Sequence, residues 1–192
     1  TFQNINALRE HIVDSSRIHG IITEGGDAPN IVPDYSTSLF YIRAMDDDYC
    51  DELLEKVKRC ARGAAMATGA RVEMEMQGAY KSLQTNAPLA QAFKDNLEIL
   101  GWTFDGVDPA KAIGSTDLGD VSHITPAIHP YLSIGPPDLI GHSTEFVEAS
   151  PSEEGFAAML AAPKALALTA VDLVLQPGLY DAIRADFEAH RA

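Results

Sequence analysis

The sequence predicts an α+β fold in two successive units: a sheet-and-helix unit over 1–80 and a mainly helical unit over 81–192. Two observations lead there. Apolar and polar residues alternate in short runs near 17–23, 38–44 and 72–76, the period of a half-buried strand. Elsewhere apolar residues recur at helical spacing in long runs bounded by capping residues and by Gly or Pro.

Phe2, Ile5, Leu8 and Ile12 have helical spacing, so the chain opens inside an amphipathic helix, with no initiator Met. A strand over 17–23 puts Ile18 and Ile22 on one face. Gly25-Gly26 turns the chain. The next strand, over 38–44, places Phe40 and Ile42 on one face and Leu39, Tyr41 and Arg43 on the other. Asp46, Asp47 and Asp48 supply carboxylates at the positive end of the following helix dipole. Leu53, Leu54, Val57, Cys60, Ala61 and Ala64 form its buried stripe, and Gly69 closes it. Val72, Met74 and Met76 predict a third strand. This order makes a two-layer unit with one sheet face covered and the other open.

In the second unit Asn86 caps a helix with Pro88 in its first turn. Leu89, Phe93, Leu97 and Leu100 line one side, and Gly101 ends it. One or two short strands are expected over 124–134. Ser150-Pro151-Ser152-Glu153 is a capping-box pattern opening a long apolar helix, expected to be buried and kinked at Pro163, with Leu166, Leu168 and Val171 partly bared in this chain. Gln176-Pro177-Gly178 ends it, and a last helix covers 179–190.

The chain has 192 residues, 46% of them hydrophobic, which suffices for a packed core. Its net charge of −14 argues against nucleic acid and anionic membrane as partners. The longest apolar run, near 160–175, is interrupted by Pro163, Lys164 and Asp172, so no membrane span is expected. Cys50 and Cys60 fall on one helix, roughly 15 Å apart along its axis, and cannot pair. Two free thiols suit a reducing compartment, so the cytoplasm is the expected location. The first twelve residues carry no basic run followed by an apolar one.

The chemistry concentrates in two segments. Gly114-Ser115-Thr116-Asp117-Leu118-Gly119-Asp120-Val121-Ser122-His123, followed by His129-Pro130-Tyr131 and Gly141-His142-Ser143-Thr144-Glu145, holds three of the six histidines among small residues and carboxylates. His142 belongs to no apolar stripe, and an imidazole there suits a metal or plain solvent exposure. The other segment is Gly25-Gly26-Asp27-Ala28-Pro29-Asn30-Ile31-Val32-Pro33-Asp34, followed by the strand that ends near Arg43. Pro29 and Pro33 stiffen the loop that presents Asn30. A guanidinium at a strand end can hold a carboxylate bidentately. His19 shares the open sheet face with Arg43 if the two strands pair in the simplest register. His123 and His129, flanked by apolar residues and prolines, read as packing or hydrogen-bonding histidines.

In this order the motifs resemble the M20 family of zinc peptidases and amidohydrolases, nearest to its aminobenzoyl-glutamate hydrolase and M20-domain dipeptidase branch. The resemblance implies a lid or dimerisation domain over 1–80, lacking its first strand. It implies that 81–192 is the carboxy-terminal portion of an α/β zinc-peptidase catalytic domain. It implies a zinc-dependent amidohydrolase with two zinc ions per intact site, or manganese or cobalt in their place, acting as a homodimer on a small amide or dipeptide. His142 matches the family's last metal ligand. Asn30, Arg43, Gly114, Ser115 and Thr116 match its substrate-contacting positions.

No residue here matches a catalytic position. The family's His-x-Asp motif, its bridging Asp and its Glu-Glu pair are not among these residues. Glu153-Glu154 reads instead as the first turn of a helix. The resemblance therefore implies the carboxy-terminal part of a longer enzyme, inactive in isolation. The alternative is a truncated or degenerate homologue that only dimerises or binds ligands.

Overall fold

A computed structural model describes residues 1–104, 106 and 115–190. The fold is mixed helix with a small sheet, compatible with the α+β expectation. The chain divides into two units, Thr1–Ser82 and Leu83–Ala192.

In the first unit, α1 (Phe2–Leu8) leads through a 3₁₀ turn (Arg9–His11) to β1 (Arg17–Glu24) and β2 (Thr37–Arg43), then to α2 (Asp47–Thr68). The two strands form an antiparallel ribbon in which Ile18 faces Ile42, His19 faces Tyr41 and Arg17 faces Arg43. A register shift between Ile22 and Glu24 ends the regular pairing. Ile5 of α1, Ile18 of β1, and Leu53 and Val57 of α2 are buried together, with Phe40, Ile42 and Cys60 packed around them. The helices thus cover the Ile18/Ile42 face and leave the His19/Tyr41 face open.

α2 starts where the sequence says it should. The Asp46 side chain accepts a hydrogen bond from the Tyr49 N–H at 2.7 Å, and Asp47 and Asp48 sit in the first turn. Gly69 closes the helix in the left-handed region, with φ 71°. Asp46→Ala leaves that N–H without its partner and should lower the stability of the first unit by about 1 kcal/mol. Chemical denaturation followed by far-UV circular dichroism measures it, and Asp46→Asn should recover most of the loss.

The expected third strand does not form: among the described residues no strand is present over 70–82, and the sheet has two strands. The alternation of Val72, Met74 and Met76 is intact, but all three are substantially exposed. A strand needs a hydrogen-bonding edge as well as a pattern, and among the described residues β1 and β2 pair only with each other.

In the second unit, α3 (Ala87–Ile99), α6 (Glu153–Leu175) and α7 (Pro177–Ala189) pack on one another. The short helices α4 (Leu118–Ser122) and α5 (Thr144–Ala149) lie between α3 and α6 in sequence. Asn86 caps α3 by accepting from the Leu89 N–H at 3.1 Å, and its amide donates to the Ile183 carbonyl (3.0 Å) and the Asp186 carboxylate (2.9 Å) of α7. Buried Asn96 donates to Thr169 Oγ1 (3.2 Å) and Asp172 Oδ2 (2.7 Å) of α6.

The strands expected over 124–134 reduce to an isolated bridge between Thr85 and Ala127. Pro126 and Pro130 remove two ladder donors there, enough to prevent regular pairing.

α6 departs from expectation in another way. Pro163 lies inside the helix, and by length and composition α6 could cross a membrane, where no span was expected. The helix as a whole was expected to be buried, yet only the stripe Gly155, Ala158, Ala161, Ala165 and Thr169 is; the baring of Leu166, Leu168 and Val171 was expected and is seen. Leu166 (51%), Leu168 (37%) and Val171 (50%) remain exposed, because α3 and α7 cover one side of a helix that is apolar on several.

Candidate functional site

In the first unit the site elements are the β1–β2 loop and the open face of the ribbon. Gly26 holds φ 106°, and a Cβ there would stand 3.1 Å from the Pro33 ring, so the turn requires glycine. Pro29 and Asn30 are the central residues of a turn closed by the Ile31 N–H donating to the Ala28 carbonyl at 3.1 Å. Asn30 is exposed there.

Arg43 ends β2 on the open face, exposed, with no hydrogen bond or ion pair among the described residues. The register puts His19 on the same face, opposite Tyr41. It also separates the two proposed substrate residues. Asn30 lies in the loop at one end of the ribbon and Arg43 at the other, and β2, seven residues long and ending at Arg43, spans roughly 20 Å.

In the second unit, Gly114 lies outside the described residues. Ser115 is exposed. Thr116 accepts the Leu118 N–H on its Oγ1 at 3.2 Å, and its carbonyl accepts the Gly119 N–H at 3.1 Å. This is a Ser/Thr turn entering α4. Buried Ser122 then donates to the Gly119 carbonyl (2.6 Å) and accepts from the Gln84 N–H (3.0 Å), which fixes the end of the loop.

His142 is exposed and is the one non-glycine among the described residues with positive φ, 65°. Left-handed backbone at a residue with a Cβ is uncommon outside turns and sites. It places the imidazole immediately before Ser143, whose hydroxyl caps α5 by accepting from the Phe146 N–H at 3.1 Å. Beside it, the Glu145 carboxyl is held below its ordinary range by its own backbone N–H and by the Ser143 hydroxyl.

His129 stacks on Tyr131 with ring centroids 5.0 Å apart, in line with a packing role. Glu153 and Glu154 form the first turn of α6, behind the Ser152 cap. Among the described residues no three His, Cys, Asp or Glu side chains are grouped closely enough to hold a metal ion. His142 alone does not make a zinc site, which needs three or four protein ligands.

No family model matches the chain. Individual proteins do. The chain is 37% identical to the Xaa-Arg dipeptidase of Mus musculus over 190 residues, covering 97% of this chain and 44% of that protein. It is 38% identical to the human (Homo sapiens) Xaa-Arg dipeptidase over 191 residues, covering 97% and 43%. The chain belongs to the M20 family. A third M20 relative, a subunit of the p-aminobenzoyl-glutamate hydrolase of Escherichia coli strain K12, is 26% identical over 232 residues, covering 91% and 48%. This M20 chain therefore spans less than half the length of each of these relatives.

The sequence reading of this M20 chain missed two positions. One is Ser122, whose pinning role shows only once Gln84 is beside it. The other is Arg17, which the register sets directly opposite Arg43. Counting back from the hairpin loop was the signal that could have found it.

Proposed function

We propose that the protein carrying this chain is a metal-dependent amidohydrolase or peptidase that cleaves an amide bond beside a carboxylate. Its substrates would be N-acyl amino acids, aminobenzoyl-glutamate-like compounds or dipeptides. The observation that carries this reading is the similarity along 97% of the chain to proteins named as dipeptidases. In this reading the first unit is a lid and dimerisation domain, and the second is part of a catalytic domain. Arg43 holds the substrate carboxylate, while Asn30 and the Ser115-Thr116 turn line the cleft. His142 supplies one ligand to a zinc ion, or to manganese or cobalt in its place. The remaining ligands come from polypeptide beyond these 192 residues.

The ribbon geometry supports a homodimer. A dipeptide is about 7 Å long, whereas Asn30 and Arg43 sit at opposite ends of a strand spanning roughly 20 Å. Two copies contributing one residue each would let a single small substrate meet both. The free thiols Cys50 and Cys60 favour a cytoplasmic location. The bonds from Asn96 to Thr169 and Asp172 favour α6 as a core helix of a soluble protein.

The test uses the longest native polypeptide that contains these residues. His142→Ala should reduce bound zinc and abolish amide hydrolysis. His190→Ala should change neither, since the His190 ring sits against the Asp186 carbonyl at 2.8 Å at the end of α7. Elemental analysis with unchanged zinc in the His142 variant refutes the ligand assignment. Absence of hydrolysis in the unsubstituted, zinc-loaded protein would favour a ligand-binding or dimerising module.

A further inference from the structure

We infer that Arg17, His19, Tyr41 and Arg43 form one carboxylate-binding platform on the open face of the β1–β2 ribbon. This rests on the reading of Arg43 as the group that holds the substrate carboxylate, and it adds three residues to that site. The register sets Arg17 against Arg43 and His19 against Tyr41, so the four side chains occupy adjacent positions of one face. Opposed residues of an antiparallel pair have Cβ atoms about 5 Å apart, and like charges there are destabilising. The register nevertheless opposes two arginines. The six regular positions of the face are Arg17, His19, Ile21, Leu39, Tyr41 and Arg43, and none is a carboxylate. This cationic face belongs to a chain of net charge −14.

Arg17 is anchored in place. Its Nη1 donates to the Ser16 carbonyl at 2.7 Å and also to the Asp14 carbonyl. Among the described residues its Nε and Nη2 have no partner, and the Arg43 side chain has none. A carboxylate lying between the two guanidiniums would turn their repulsion into two charge-assisted contacts. The imidazole of His19 and the hydroxyl of Tyr41 stand next along the ribbon and can donate to its second oxygen or to the neighbouring amide.

The experiment is an equilibrium titration of the 192-residue chain with hippurate, its neutral amide hippuramide and inorganic phosphate, followed by NMR. Hippurate should bind and hippuramide should not. Arg17→Gln and Arg43→Gln should each weaken hippurate at least about tenfold, the scale of one charge-assisted hydrogen bond. His19→Gln and Tyr41→Phe should weaken it by less. Without ligand, Arg43→Gln should raise the thermal midpoint because it removes the repulsion, whereas a structural arginine would lower it.

Loss of binding in Arg43→Gln with none in Arg17→Gln overturns the platform and leaves the simpler reading of Arg43 standing. No loss in either variant overturns both. Absence of hippurate binding to the unsubstituted chain, a lowered midpoint in Arg43→Gln, or phosphate binding more tightly than hippurate each overturns the inference.

Discussion

Leu53→Ala should cost the first unit about 2–5 kcal/mol, the range for removing a buried leucine side chain with partial collapse of the cavity. Leu53 is 0% exposed and sits where α1, β1 and α2 meet, against Ile5, Ile18 and Val57. A unit the size of Thr1–Ser82 has little core to spare, so the loss is a large share of its stability. The second unit should be untouched. Amide hydrogen exchange resolves the two, because β1 and β2 amides should lose protection while α3 and α6 amides keep theirs. Leu160→Ala, on the exposed side of α6, is the control and should cost far less. A loss under about 1 kcal/mol for Leu53→Ala would mean that this cluster is not the centre of the unit.

Arg43→Ala, in the longest native polypeptide, should lower kcat/KM by roughly 2–5 kcal/mol on a substrate with a free carboxylate. At tenfold per 1.4 kcal/mol this is a loss of between one and four orders of magnitude. The guanidinium is exposed and unpaired in the free chain, so nothing in the fold should fail when it is removed. The corresponding amide substrate should lose much less. Arg43→Lys keeps the charge without the planar fork and should remain impaired. Equal losses on the acid and on its amide would assign Arg43 to the dimer or the fold.

Local devices were legible in the sequence. Asp46 and Asn86 each cap the helix that follows, because a cap needs only a side-chain oxygen and an N–H within a few residues; for α6 the Ser150-to-Glu153 box pointed two residues early, and Ser152 is the cap. The covered face of the ribbon was legible too, since period two fixes it. What failed depended on distant partners. Val72, Met74 and Met76 carry a strand pattern and find no edge. Pro126 and Pro130 break the expected strands near Ile128. α6 is as apolar as expected, but apolarity does not say how much of a helix its neighbours cover. The chemical type of each site residue could be read directly. The distance between Asn30 and Arg43, and the opposition of Arg17 to Arg43, became visible only when pairing fixed the register.

The bonds from Asn96 to Thr169 and Asp172 have a consequence for how α6 is seated. A helix apolar on several sides carries little information about its own roll angle, since many rotations bury similar area. Two oriented acceptors one turn apart on α6, satisfied by one amide on α3, admit a single rotation and a single axial offset. Sliding by one turn would strand a buried amide and cost more than the apolar contacts could return. The polar pair thus acts as an indexing pin, and it presents Leu166, Leu168 and Val171 as a fixed relief to whatever packs against them.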